Sequence, residues 1–143
     1  MPIAEILRDC LAANGLTKAD GRPLYRYEAS DEAITSLAEM LRPRLHGNVP
    51  LDRAESAGFC LVLAKRGVPT LNADALSWPT LARAALGNLP EATMNGNAFR
   101  AYTDSGMGWW SRTPIRVATG TRWLTTLWCE GAGPLNLIQR EYN

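Results

Sequence analysis

The chain has 143 residues, enough for one domain, with 46% hydrophobic and 20% charged residues, a balance that excludes an intrinsically disordered polymer. Fifteen Lys and Arg against fourteen Asp and Glu leave a formal charge of +1, which excludes a histone-like basic protein and an acidic tail, though not a local patch. No stretch of about 18 apolar residues occurs, so no membrane-spanning helix is expected, and Glu5 and Asp9 stand where a secretory leader would be basic and then apolar.

Residues 2–14 read as a first helix. Ile3, Ile6, Leu7, Cys10 and Leu11 recur at helical spacing, and Asn14-Gly15 supplies the stop. Asp20-Gly21 marks a turn, and Leu24-Tyr25-Arg26-Tyr27 reads as a short extended piece whose tyrosines pack at an edge over the first helix. Ser30 caps a second helix, with Asp31 and Glu32 at its positive end; its apolar face runs Ala33, Ile34, Leu37, Ala38, Leu41. Pro43 is expected to end it, leaving 42–49 as a loop that carries His46.

Asp52 caps the most apolar helix, 51–66, in which Ala57–Ala64 is apolar on every side. Such a helix belongs at the centre of the core, with Lys65 and Arg66 at its negative end and Gly67 closing it. Ser77-Trp78-Pro79-Thr80 opens a helix to Leu86, stopped by Gly87-Asn88. The stretch 92–107 is weakly helical and ends in Ser105-Gly106-Met107-Gly108. Ile115-Arg116-Val117 reads as a brief extended segment, 123–129 as a last helix, and 135–143 as a short amphipathic tail. The expected fold is therefore mostly α: one compact domain over 1–143 of about six short helices with minor extended segments.

Signatures of catalysis are few. Gly106-Met107-Gly108 lacks the third glycine and preceding strand of a dinucleotide loop, and no Gly-x-Ser-x-Gly occurs. Cys10, Cys60 and Cys129 are far apart in apolar segments, as reduced buried thiols are, and with His46 they lack the close pairing of a zinc site. Acidic pairs such as Asp31/Glu32 and Asp52/Glu55 lie at helix starts, where the dipole accounts for them. The expectation is a non-enzyme with no metal and no cofactor.

The informative window is 109–128, which holds four of the five tryptophans, Arg112, Arg116 and Arg122, and no acidic residue. Arginines interleaved with flat rings suit single-stranded nucleic acid, the cations tracking phosphates and the rings stacking on bases. The same pattern also arises when the rings face a core and the arginines only meet water. Trp109, Trp110, Arg112, Arg116 and Arg122 are thus the candidate residues for binding DNA, RNA or a protein partner. A helix-turn-helix within 77–102 is a further option, its second helix offering Asn95, Asn97 and Arg100 beside Glu91 and Asp104. The apolar run 131–138 after a glycine break suits a partner contact, or the seam of a longer polypeptide.

Three pieces of the C-terminal third carry a family resemblance: Trp109-Trp110-Ser111-Arg112, Thr119-Gly120-Thr121-Arg122-Trp123-Leu124-Thr125-Thr126-Leu127, and Glu130-Gly131-Ala132-Gly133-Pro134-Leu135-Asn136-Leu137-Ile138. This resembles the N-terminal module of large bacterial proteins of mobile islands and anti-phage defence loci, often encoded beside helicases or nucleases. The Ala57–Ala64 helix, its following loop and Ser77-Trp78 are similar as well. The chain departs at Trp123, where the family pattern has Tyr, and at Gly131-Ala132-Gly133, where it has Gly-Gly. The resemblance implies a cytoplasmic, bacterial defence setting and transfers no catalytic residue. Two expectations stand together: a non-catalytic assembly module contacting another domain or subunit through 109–138, or a nucleic-acid-binding module.

Overall fold

The structure, a computed structural model, describes residues 2–67, 78–90 and 96–112, with backbone alone at 78–81 and 96–100. Those residues are mostly helical, with no strand among them: α1 (Ile3–Ala13), α2 (Asp31–His46), α3 (Arg53–Val62), α4 (Trp78–Leu86) and α5 (Gly96–Trp109). The expected extended segment at 115–117, the last helix at 123–129 and the tail lie outside the described residues.

α1 buries the stripe expected of it, Ile3, Ile6, Leu7, Cys10 and Leu11. It closes in a Schellman motif: Gly15 sits at φ +74°, the Leu16 N–H reaches the Leu11 carbonyl at 2.9 Å, and the Gly15 N–H reaches Ala12 at 3.0 Å. Of the four residues 24–27 only Tyr27 has an extended backbone, φ −75° and ψ 128°. Leu24–Arg26 form one 3-10 turn, and both Leu24 and Tyr27 are fully buried. Tyr27 is therefore a core side chain rather than an edge one, and Pro23, its φ fixed at −57°, leads into the turn.

Ser30 caps α2 as expected, its Oγ accepting the Ala33 N–H at 3.1 Å. The helix then runs through Pro43 to His46 instead of stopping before it, so His46 lies in the last helical turn. The reason is burial: Leu41 and Leu45 extend the Ile34-Leu37-Ala38 stripe into the core, at 0% and 1% exposure. Burying a leucine gains about 1.5–3 kcal/mol, which offsets much of the bond that proline cannot make. A second Schellman motif ends α2, with Asn48 at φ +53° and the Val49 N–H on the Arg44 carbonyl at 2.8 Å.

α3 starts with a capping box, in which Asp52 accepts from the Glu55 N–H and Glu55 accepts from the Asp52 N–H. From Ser56 to Ala64 every residue is essentially inaccessible, so α3 is the central helix its composition requires. It widens into a π turn over Leu63–Gly67. There the Lys65 ammonium donates to the Tyr25 carbonyl at 3.0 Å, and Arg66 donates to the Asp31 carbonyl at 3.3 Å and to the Thr35 hydroxyl.

α3 separates two layers. A Cβ built on Gly58 would lie 3.2 Å from Ile3 and 3.3 Å from Leu37, which places α1 and α2 on that side. On the side of Ser56 and Cys60 lies α5. It continues through Gly106 and Gly108, where the sequence suggests an end. Gly106 is the crossing point: a Cβ there would come within 2.6 Å of Cys60 Sγ and closer still to the Ser56 carbonyl oxygen. Glycine here permits backbone contact rather than breaking the helix. Thr103, Met107 and Trp110 bury the same face. α4 packs on the π turn and on α2, where Arg42 Nε donates to the Leu86 carbonyl at 2.8 Å.

Candidate functional site: an acid-rimmed groove between α1 and α2

Of the five residues singled out in the sequence, three are described. Trp110 has no exposed surface. Its ring packs against Tyr27 at 4.7 Å and Trp109 at 4.8 Å between centroids, and its indole Nε1 donates to the Ala57 carbonyl at 2.9 Å. The fully buried ring and its polar edge are thus committed internally, leaving neither for a base or a partner. Trp109 is half-buried against the core cluster. Arg112 donates from Nη1 to the Gly21 carbonyl at 2.9 Å, and the neighbouring Ser111 hydroxyl reaches the Ala19 carbonyl at 3.5 Å. The end of α5 is in this way fastened to the 19–22 loop. Arg116 and Arg122 lie outside the described residues.

That loop is itself tied to the core. Asp20 forms a fork with Arg22, 2.6 Å at the closest, and accepts the Tyr27 hydroxyl at 3.1 Å. The Arg22 guanidinium holds the Asp20 carboxyl well below its ordinary range, while burial pushes the Tyr27 phenol up. These contacts make an architectural clamp, and the tyrosine that the sequence suggested as edge packing is its pivot.

The helix-turn-helix option turns on residues 91–95, between the turn at 87–90 and α5, and these lie outside the described residues. The face of α5 bearing Thr103, Met107 and Trp110 is turned into the core.

A concave feature of the described residues lies elsewhere. α1 and α2 diverge around a groove of about 890 Å³, within the range of small-ligand and peptide clefts. Helical spacing builds both walls. Ile6, Asp9, Cys10 and Ala13 line it from α1, and Glu32, Ala33, Ser36, Glu39 and Met40 from α2. The floor is apolar and small. Ile6 and Cys10 are buried, and Ala33 and Met40 half-buried. The rim is acidic, with Asp9, Glu28, Glu32 and Glu39 all exposed and no Lys or Arg lining it.

One end of the groove is closed by residues 28–30, held by Asn14. Its amide donates to the carbonyls of Cys10 at 2.7 Å and Glu28 at 3.0 Å, and its Oδ1 accepts the Glu28 N–H at 2.9 Å. The Cys10 thiol leans on the same Glu28 carbonyl, 3.5 Å away. Burial pushes that thiol up and, nearby, pushes the Lys65 ammonium down; the thiol therefore stays protonated at neutral pH, a soft apolar surface rather than a nucleophile. No group of three or more metal-ligating side chains occurs among the described residues, and no helix there is long and apolar enough to cross a membrane.

In a comparison with protein families, the model of the YjiT N-terminal domain matches residues 1–132. The chain belongs to the YjiT N-terminal domain family. The match takes in α1 through α5 and so both walls of the groove. No curated protein and no solved structure matches the chain.

The groove has no local sequence motif: Glu32 is explained by the dipole of α2, Asp9 bears only on a secretory leader, and Glu39 stands in no motif. A visible signal was the i, i+4, i+7 series Glu32-Ser36-Glu39 alongside Ile6-Cys10-Ala13. Only the packing of α1 on α2 shows that the two series face one space.

Proposed function

We propose that this domain is a non-catalytic docking module of a bacterial assembly, and that the α1–α2 groove is its working surface. The observation that carries this is the groove itself, a solvent-open trough with an apolar floor between two helices whose other sides are committed to α3. Exposed apolar concavity rimmed by charge is the usual form of a surface kept for a partner. The family description, an N-terminal domain, supports a role within a larger protein. The resemblance of the C-terminal third to modules of anti-phage defence loci supports a cytoplasmic defence setting.

The nucleic-acid reading receives less support. Trp110 is enclosed and Arg112 is spent on a backbone carbonyl, while the groove rim carries the sign that repels phosphate.

Site-specific photocrosslinking in cells tests the proposal. A benzophenone side chain at Ser36, in the groove, is compared with one at Ala84, exposed on α4. The proposal expects an adduct at Ser36 alone, which mass spectrometry resolves to one segment of one protein. No adduct, or the same adducts from both positions, defeats it.

A further inference from the structure

We infer that the α1–α2 groove takes a basic amphipathic helix of a partner protein; this rests on the docking reading above and specifies its occupant. Shape comes first. The walls are two helices, and the ridges of a third helix seat in the trough between two others. Ala13, Ala33 and Ser36 line it with little side-chain volume, which lets a third backbone approach closely. A strand-adding peptide would need a sheet edge, and no strand exists among the described residues; a polyproline-II peptide would need an aromatic-lined groove, and no aromatic residue lines this one. From Glu32 to Met40 the wall is about 12 Å long at 1.5 Å per residue, so two to three turns of a helix are engaged.

Charge supplies the second constraint. Asp9 stands on one wall, Glu32 and Glu39 on the other, and Glu28 at the end. An occupant with a narrow stripe of small or apolar residues lies on the Ile6, Cys10 and Met40 floor. Lys or Arg on both flanks of that stripe then reaches the carboxylates while the stems cover the alanines. An acidic or neutral helix would leave four carboxylates repelling it or unpaired.

A second copy of the chain fits poorly. A symmetric contact through this groove would set each acidic rim against its own image.

The probe is a set of three fluorescein-labelled 15-residue peptides: a Lys-flanked amphipathic helix, a scrambled peptide of the same composition, and a Glu-flanked amphipathic helix. Each is titrated with the whole chain by fluorescence anisotropy at two salt concentrations. Two groove variants accompany it, exposed Ser36→Trp, which fills the trough, and Asp9→Lys with Glu39→Lys, which reverses the rim. Circular dichroism melts verify that both fold.

The inference expects the basic helix alone to bind, weakening about tenfold or more with rim reversal, with Ser36→Trp and with added salt. Equal binding of the scrambled peptide shows mere charge attraction and overturns it. Equal binding of the acidic helix, blocked by Ser36→Trp but not by rim reversal, overturns the occupant while the docking reading stands. A monomer-to-dimer shift in sedimentation that Ser36→Trp abolishes names a second copy and overturns it too. If no peptide binds, the inference fails, and the Ser36 crosslink then decides separately whether the docking reading fails with it.

Discussion

Gly106→Ala is the sharpest test of how α5 is placed. The added Cβ would lie within 2.6 Å of Cys60 Sγ and closer still to the Ser56 carbonyl oxygen, where ordinary contact begins at 3.4 Å. The nearest obstacle is backbone, so it has no rotamer to move away on. α5 must therefore lift from α3 by about 0.8 Å or more at the crossing. A gap of about 0.5–1 Å forfeits a quarter to a half of the dispersion energy of the atoms it separates. Thr103, Met107 and Trp110 lie on the lifted face and pay together. Overpacking of this kind costs about 1–3 kcal/mol, and the loosened tryptophan adds to it. Against this, alanine gains about 1 kcal/mol of helix propensity over glycine. With the loosened tryptophan lifting the lower end, the expected net loss is about 1–2 kcal/mol, a drop in Tm of roughly 3–8 °C for a chain of this size.

Gly58→Ala is the matched control. Its Cβ would meet only the methyl ends of Ile3 and Leu37, at 3.2 and 3.3 Å. Those ends can yield by a few tenths of an ångström, so the propensity gain nearly cancels the crowding and the expected change is under about 1 kcal/mol. Urea denaturation of both variants by far-ultraviolet circular dichroism reads the difference. A Gly106→Ala protein as stable as the parent, or no worse than Gly58→Ala, would show that α5 does not cross α3 at this glycine.

Trp110→Phe removes the donor to the Ala57 carbonyl and leaves a small void; a loss of about 2–3 kcal/mol in urea denaturation is expected, and a neutral effect would mean the indole is not enclosed. Pro43 is exposed within α2, so Pro43→Ala restores a helical N–H without uncovering core. After the entropy that proline removes from the unfolded chain, a gain of about 1–2 kcal/mol is expected, whereas a loss would mean that α2 needs the proline there. Asp20 titrates lower in the folded chain than its ordinary value of 3.8, so its stabilisation is present above that value and is lost as pH falls below it. The stability gap between the parent and Asp20→Asn should therefore shrink between about pH 5 and pH 2; a gap unchanged over that window contradicts the Asp20–Arg22 fork.

The helices that could be read from sequence are those in which local signals and burial agree. The α1 stripe, the Ser30 cap and the Asp52–Glu55 box each act within a few residues, and each forms as expected. The all-apolar run 57–64 could only be central, and it is. Misreadings arose where a local rule was overridden at long range. Pro43 breaks helices on average, yet Leu45 two residues on has a core to fill. Gly106 weakens helices on average, yet here it admits the Ser56 backbone 50 residues earlier in the chain. Leu24–Tyr27 has the composition of a strand but no strand to pair with among the described residues.

The tryptophans suggested a surface because interleaved arginine suits one, but Trp110 is balanced by partners in two distant segments, Tyr27 and Ala57. The groove was illegible for the same reason. Asp9 and Glu39 are 30 residues apart and share a rim only because α1 and α2 both pack on α3.

The docking groove is tested most directly by nuclear magnetic resonance. Titrating the isotope-labelled chain with the Lys-flanked amphipathic peptide should shift the amides of Cys10, Ala13, Ala33, Ser36 and Met40, which line the trough, and leave Met107 and Trp110, sealed against α3, unmoved. Shifts gathered instead around Trp109 and Arg112, or spread evenly over every acidic side chain, would contradict a binding surface between α1 and α2.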